Sequence, residues 1–192
     1  MSVDRRKMIV EAAAKSFAFF GYKATTMDQV AKLANVGKGT IYTFFSNKEE
    51  LFGEIVRQLN KELISVAERA IDPNKSFVEN LHIFLYAMLD FRRKHELTIR
   101  LSHEIDEMGT MAAKEGMEKV EEAMLSIVAK KAKEAVDKGE LKPCDPEKTA
   151  FAMMKMYIAF VHDWDAYHTE PLEKKDLAEL FELYFMEGLA VR

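Results

Sequence analysis

Cysteine is nearly absent from this chain: Cys144 is the single copy in 192 residues. No internal disulfide can form, and a cysteine cluster for zinc is excluded. Proline and glycine are also scarce, at four and eight copies. They fall mostly between periodic segments, so few helix breakers interrupt the pattern. No alternating strand pattern of useful length, no internal repeat and no low-complexity tract occurs. Long apolar runs are missing too. The most apolar stretch, AFAMMKMYIAFV, is broken by Lys155 and is too short to span a bilayer. The N-terminus carries Asp4, Arg5, Arg6 and Lys7 with no long apolar run behind them, which argues against a secretory leader. A cytoplasmic protein with no membrane association is expected.

What is present is a soluble-protein composition, 48% apolar and 31% charged. The length suits one domain, or a small domain joined to a larger one. Formal net charge is −4, but residues 1–48 hold eight Lys or Arg against Asp4, Glu11 and Asp28. That is +5 for the first 48 residues and −4 − 5 = −9 for the remainder. A basic end on an acidic body suits a polyanionic partner; chance asymmetry is the plainer account.

The hydrophobic pattern is helical almost throughout and predicts about nine helices, an all-α fold. The first runs from about Asp4 to Phe20, with Ile9, Ala13, Phe17 and Phe20 as a buried stripe and Gly21 as its stop. Thr26-Met27-Asp28-Gln29 has capping-box form and opens a second helix. Asn35-Val36-Gly37 is the turn, and Lys38 to Phe45 forms a short third helix. Asn47 and Glu50, again at capping-box spacing, open a fourth that reaches Ala70. Asp72-Pro73 breaks the chain, and Ser76 and Glu79 cap a fifth helix to about Lys94. A sixth covers 97–107, and a seventh runs from Met111 to Lys138. Asp145-Pro146 starts an eighth that reaches about His168. Pro171 and Leu172 lead into a ninth that ends near Leu189.

The stretch NVGKGTIYTFFSNKEEL places a turn, a very short helix and a new helix start within residues 35–51. So short a helix is not stable alone. A helix, a three-residue turn and a second short helix form a helix-turn-helix, whose second helix fits the DNA major groove. Val36, Ile41 and Phe45 fall on the buried side. Lys38, Thr40, Tyr42, Thr43 and Phe44 face outward. Thr40 and Thr43 suit base edges or a thymine methyl, Tyr42 offers a phenolic O–H to a phosphate, and Lys38 and Lys48 can neutralise phosphates. The capped starts at Thr26 and Asn47 present free N–H groups to the same anions. The plainer alternative is that these side chains only fill a small helical bundle.

FGYKATTMDQVAKLANVGKGTIYTFFSNKEELF resembles the DNA-binding segment of TetR/AcrR-type bacterial transcription regulators. Matching features are Phe20-Gly21-Tyr22, Thr25-Thr26, Val30-Ala31, the run Val36 to Tyr42, Phe44-Phe45 and Lys48-Glu49. They span about residues 5–55. DLAELFELYFMEGL is similar to the last helix of such proteins. The resemblance implies a three-helix DNA-binding domain over 1–48 and a larger helical ligand-binding and dimerisation domain over 49–192. It places Thr26, Thr40, Tyr42 and Lys48 on phosphates. Lys38, Gly39 and Thr43 fall on bases or the nearby backbone, with Gly39 allowing close approach to DNA. It further implies a homodimer on a palindromic operator, paired through the eighth and ninth helices. A small-molecule effector that releases the DNA completes the expectation, most often for a repressor.

The rest of the chain adds its own signals. Ala150, Met153, Tyr157, Phe160 and Trp164 form one apolar stripe of the eighth helix; Phe151, Met154, Ile158 and Val161 form another. Two apolar faces need two neighbours, one of which is a partner subunit or more of the same chain. Nine of the twelve methionines follow residue 50. Met88, Phe91, Leu101, Ile105, Met108, Met124, Met154, Tyr157 and Trp164 form a candidate pocket for an apolar or aromatic effector; ordinary core is the alternative. His103-Glu104-Ile105-Asp106-Glu107 superficially resembles a zinc-protease HExxH but lacks the second imidazole. No metal, no cofactor and no catalytic residue is expected. An enzyme or carrier built on the helical pocket is the competing class, and no nucleophile–base–orienter set or phosphate loop supports it.

Overall fold

A computed structural model of the chain describes residues 4–186 apart from 73, 76, 161–163, 165, 166, 169 and 171. The side chains at 78, 89, 92, 93, 174, 185 and 186 are likewise outside the description. Nine α-helices and no β-strand occur among the described residues.

Helix α1, Arg5–Ala24, starts on Asp4, whose carboxylate accepts from the Lys7 amide at 3.1 Å. Ile9, Ala13 and Phe17 are fully buried, as their spacing predicts. Phe20 departs from that expectation: it is 43% exposed and meets Phe19 edge-on at 4.7 Å. It ends the regular part of the helix, because Gly21 follows at φ 82° and ψ 177°.

Helix α2, Met27–Leu33, carries the complete capping box between Thr26 and Gln29. Asn35 makes the turn in the left-handed region at φ 53°, a conformation that asparagine tolerates better than most residues. Helix α3, Lys38–Phe44, follows. Ile41 and Phe45 are buried behind it. Helix α4, Lys48–Ala70, starts on Asn47, whose side chain accepts from the Glu50 amide at 2.7 Å. The return arm differs from a strict capping box, since the Glu50 carboxylate takes the amide and hydroxyl of Ser46, each at 2.7 Å.

The later helices are α5, Phe77–Lys94; α6, Glu96–Met108; α7, Met111–Asp137; α8, Pro146–Ile158; and α9, Lys174–Phe181, with a π-helical turn over Glu182–Met186. Gly139, at φ 74°, follows α7. Asp145 caps α8 through the amides of Glu147 and Lys148. The eighth helix stops short of His168. The Ala159 amide is shared between the carbonyls of Lys155 and Met156, and residues 159–160 continue as a π-helical turn. Pro73, Ser76, Val161, Pro171 and Leu189, each used in the sequence reading, lie outside the described residues.

The chain forms two compact units. One comprises residues 1–62 and 92–121, the other 63–91 and 122–192. In the first, Phe52 meets Phe17 edge-on at 5.1 Å and Tyr22 at 4.8 Å. Gly116 lets α7 approach this cluster, since a Cβ there would lie 2.9 Å from the Phe52 ring. Burial of each such ring contributes about 2–3 kcal/mol. In the second unit, Tyr157 is buried against Phe181 at 5.8 Å and hydrogen-bonds His82 Nδ1 at 3.1 Å. Burial pushes the Tyr157 phenol well above its ordinary range.

Candidate nucleic-acid interface

The short helix α3 is held from behind and free in front. Ile41 is fully buried, whereas its neighbour Tyr42 is 44% exposed. Thr43 is exposed and its hydroxyl donates to the Thr40 carbonyl at 2.7 Å. Thr40 itself is half-buried. A Cβ built on Gly39 meets no atom within 4 Å, so no protein neighbour demands a glycine there. Lys38 reaches back to Asp28 of α2 at 3.0 Å, an exposed pair that raises the lysine pKa, chiefly through the hydrogen bond. This pair aims the ammonium across the α2–α3 turn at little cost.

Thr26 is exposed at the α2 start, its hydroxyl spent within the capping box. Lys48 is half-buried and bound to its own chain. Its ammonium donates to the carbonyls of Tyr22 and Thr25, at 3.0 and 3.1 Å, and lies 4.3 Å from the Tyr22 ring centroid. An ammonium has three N–H bonds, which leaves one for a phosphate. Tyr22 donates its phenolic proton to Glu49 at 2.7 Å. Burial first, and then that hydrogen bond, hold the Tyr22 phenol above its usual range; the same bond lowers the Glu49 carboxyl.

Sequence reasoning missed the partners behind this surface. It missed Asp28 as the mate of Lys38, passed over Arg100 of α6, and read Glu104 of the same helix only within the HExxH-like stretch. Glu104 accepts the amides of Tyr22 and Lys23 at 2.6 and 2.9 Å. Arg100 donates to the Phe20 carbonyl at 3.2 Å. The signal within reach was a glutamate in an apolar register of α6, between Leu101 and Met108.

The nine candidate pocket residues are split between the units. Leu101, Ile105 and Met108 belong to the first, and the other six to the second. Met88, Met124, Met154 and Tyr157 are fully buried, whereas Met108 is 53% exposed. The Trp164 indole N–H donates to the Glu170 carbonyl. A cavity of about 320 Å³ in the second unit is lined by others, including Ile71, Phe77, Leu81 and Phe84, with Lys131 and Lys138 at its edge.

Residues 9–55 match the family model for bacterial regulatory proteins of the tetR family. Across 190 residues the chain is 55% identical to the uncharacterized HTH-type transcriptional regulator YhgD of Bacillus subtilis (strain 168), covering 99% of each protein. The chain belongs to the TetR family. This TetR-family protein is also 31% identical over 111 residues to the probable acrEF/envCD operon repressor of Escherichia coli (strain K12), covering 55% of this chain and 50% of that protein. Its fold is that of a solved structure described as flavonoid-responsive regulator FrrA, with a TM-score of 0.75, 23% identity and 98% of both chains covered. As a family member it is a DNA-binding transcriptional regulator and not an enzyme. No described helix is long and apolar enough to cross a membrane.

Proposed function

We propose that the protein is a cytoplasmic homodimeric repressor, released from a palindromic operator by a small apolar or aromatic effector. The observation that carries the DNA half of this reading is Tyr42, exposed on the outer face of a helix whose inner residue, Ile41, is sealed. In this reading residues 1–48 bind DNA. Thr26, Thr40, Tyr42 and Lys48 take phosphates, and Lys38, Gly39 and Thr43 meet bases or the adjacent backbone. Residues 49–192 dimerise and receive the effector. Two copies of α3 must then sit about one helical repeat, roughly 34 Å, apart to enter adjacent major grooves. Two features favour an apolar effector: the methionine-rich interior around Met88, Met124 and Met154, and the flavonoid response in the description of a neighbour of the same fold.

Effector binding shifts the population toward a state whose recognition helices are wrongly spaced. A coupling of about 1–3 kcal/mol weakens DNA binding several-fold to about a hundredfold. The test is fluorescence anisotropy with a duplex from immediately upstream of the protein's own gene, at rising salt. Affinity is expected to fall steeply with salt, and Tyr42→Phe to weaken binding while the melting temperature stays unchanged. Salt-insensitive binding, or a Tyr42→Phe variant that binds like the wild type, counts against the interface. Transcription from the neighbouring promoter with and without the protein separates repression from activation.

A further inference from the structure

The glutamate of the HExxH-like stretch faces the DNA-binding helices. We propose that Glu104 is a positioning residue for DNA binding, acting through Tyr22 on the ammonium of Lys48. The inference rests on the DNA-binding reading above and goes beyond it to a residue outside the helix-turn-helix.

Glu104 is 3% exposed. Its two oxygens accept the successive amides of Tyr22 and Lys23, at 2.6 and 2.9 Å. Successive backbone N–H groups after a residue of positive φ form a concave anion site, and this carboxylate fills one. The charge-assisted bonds offset the hydration lost on burial. One turn earlier on α6, Arg100 holds the Phe20 carbonyl. Gly21 is demanded twice over. Its φ of 82° and ψ of 177° lie in a region that is essentially glycine's alone, and a Cβ there would strike Glu104 Oε2.

The grip continues toward the DNA face. The Tyr22–Lys23 peptide is held at both ends: its N–H, on Lys23, donates to Glu104 at 2.9 Å, and its carbonyl, on Tyr22, accepts from Lys48 Nζ at 3.0 Å. The Tyr22 ring lies under the same ammonium, and its hydroxyl donates to Glu49. Thr25, the second acceptor for Lys48, is itself tied to the Gly21 carbonyl at 2.8 Å. The orientation of residues 20–25, and so the place of the Lys48 ammonium at the start of α4, depends on the α6 carboxylate. A glutamate that only stabilised the fold would affect DNA binding no more than the folded fraction does.

A double-mutant cycle on the full chain tests this. Wild type, Glu104→Gln, Lys48→Ala and the double variant are titrated against the duplex from upstream of the gene at several salt concentrations, and each is melted. Glu104→Gln keeps the size of the side chain but presents an NH2 to one of the two amides. It is expected to bind about tenfold more weakly and to lose about one phosphate contact from the salt slope. The double variant should be no worse than the weaker single. Wild-type affinity and slope in Glu104→Gln, additive losses, or a loss explained by the unfolded fraction would overturn the inference. Should Glu104→Gln not fold, the same cycle with Glu104→Asp, which keeps the charge and shortens the arm, decides by the same criteria. If the wild-type chain binds no duplex, the DNA-binding reading falls and this inference with it. Normal wild-type binding beside an unaltered Glu104 variant sinks the inference alone.

Discussion

Glu54, in the second turn of α4, gathers the cations around the recognition helix. It is paired with Arg57 in a two-point contact and with Arg6 of α1 at 3.3 Å, and it accepts from Gln58 at 3.1 Å. Arg6 also lies 5.3 Å from the centre of the Phe45 ring, at the end of α3. The hydrogen bonds from Arg57, ahead of those from Arg6 and Gln58, lower the Glu54 carboxyl from 4.5 to about 2. A depressed carboxyl stabilises the fold above its unfolded value and ceases to do so as pH falls through its folded value. The melting temperature of wild type should therefore exceed that of Glu54→Gln by a constant margin above pH 4.5, and the margin should close between 4.5 and about 2. A margin independent of pH across that range would show that the carboxylate contributes no linked stability. The basic residues here were legible in the sequence; which acid each one meets was not, because Arg6 and Glu54 are 48 positions apart and meet only through helix packing.

At the scale of elements, α2 and α3 are seven residues each. Helices so short depend on their caps and on the side chains that anchor them. Thr26 closes both arms of its capping box, with Gln29 Oε1 accepting the Thr26 amide at 2.9 Å. Thr26→Ala should cost about 1 kcal/mol, read as a lower denaturation midpoint with an unchanged m-value; no loss would mean that packing alone holds α2. Cap residues and apolar spacing made most helix starts readable, because both are local. Helix ends were less so. Phe20 has the spacing of a core residue, yet the backbone turns away at Gly21 and leaves the ring exposed. In α8 the stripe continues past Ile158, but the α-helix ends there and residues 159–160 turn π-helical.

For the whole molecule, the question is what covers the apolar residues left outside. Phe151 on α8 is 53% exposed, and Leu183 and Tyr184 beyond α9 are 52% and 62% exposed. In the homodimer proposed above, a second copy covers them. Sedimentation should then give twice the chain mass. Phe151→Glu, at a position where the isolated chain buries little, should weaken self-association at least about tenfold and weaken operator binding in parallel. A wild-type monomer at micromolar concentration, or a Phe151→Glu variant that stays dimeric, would refute this use of the face.

The order of amino acids alone determined the helical class, the helix-turn-helix and the chemistry of its outward face. These follow from periodicity, caps and turn residues, whose physics reaches only a few positions along the chain. Tertiary structure decided which charges are spent within the protein. Lys48, readable as a phosphate ligand, gives two of its donors to the carbonyls of Tyr22 and Thr25. Glu104, readable as half of a failed metal motif, closes on amides some eighty positions earlier. A side chain's partner is set by which helices pack together, and hydrogen bonds of that span exist only once the fold has brought the two ends within about 3 Å.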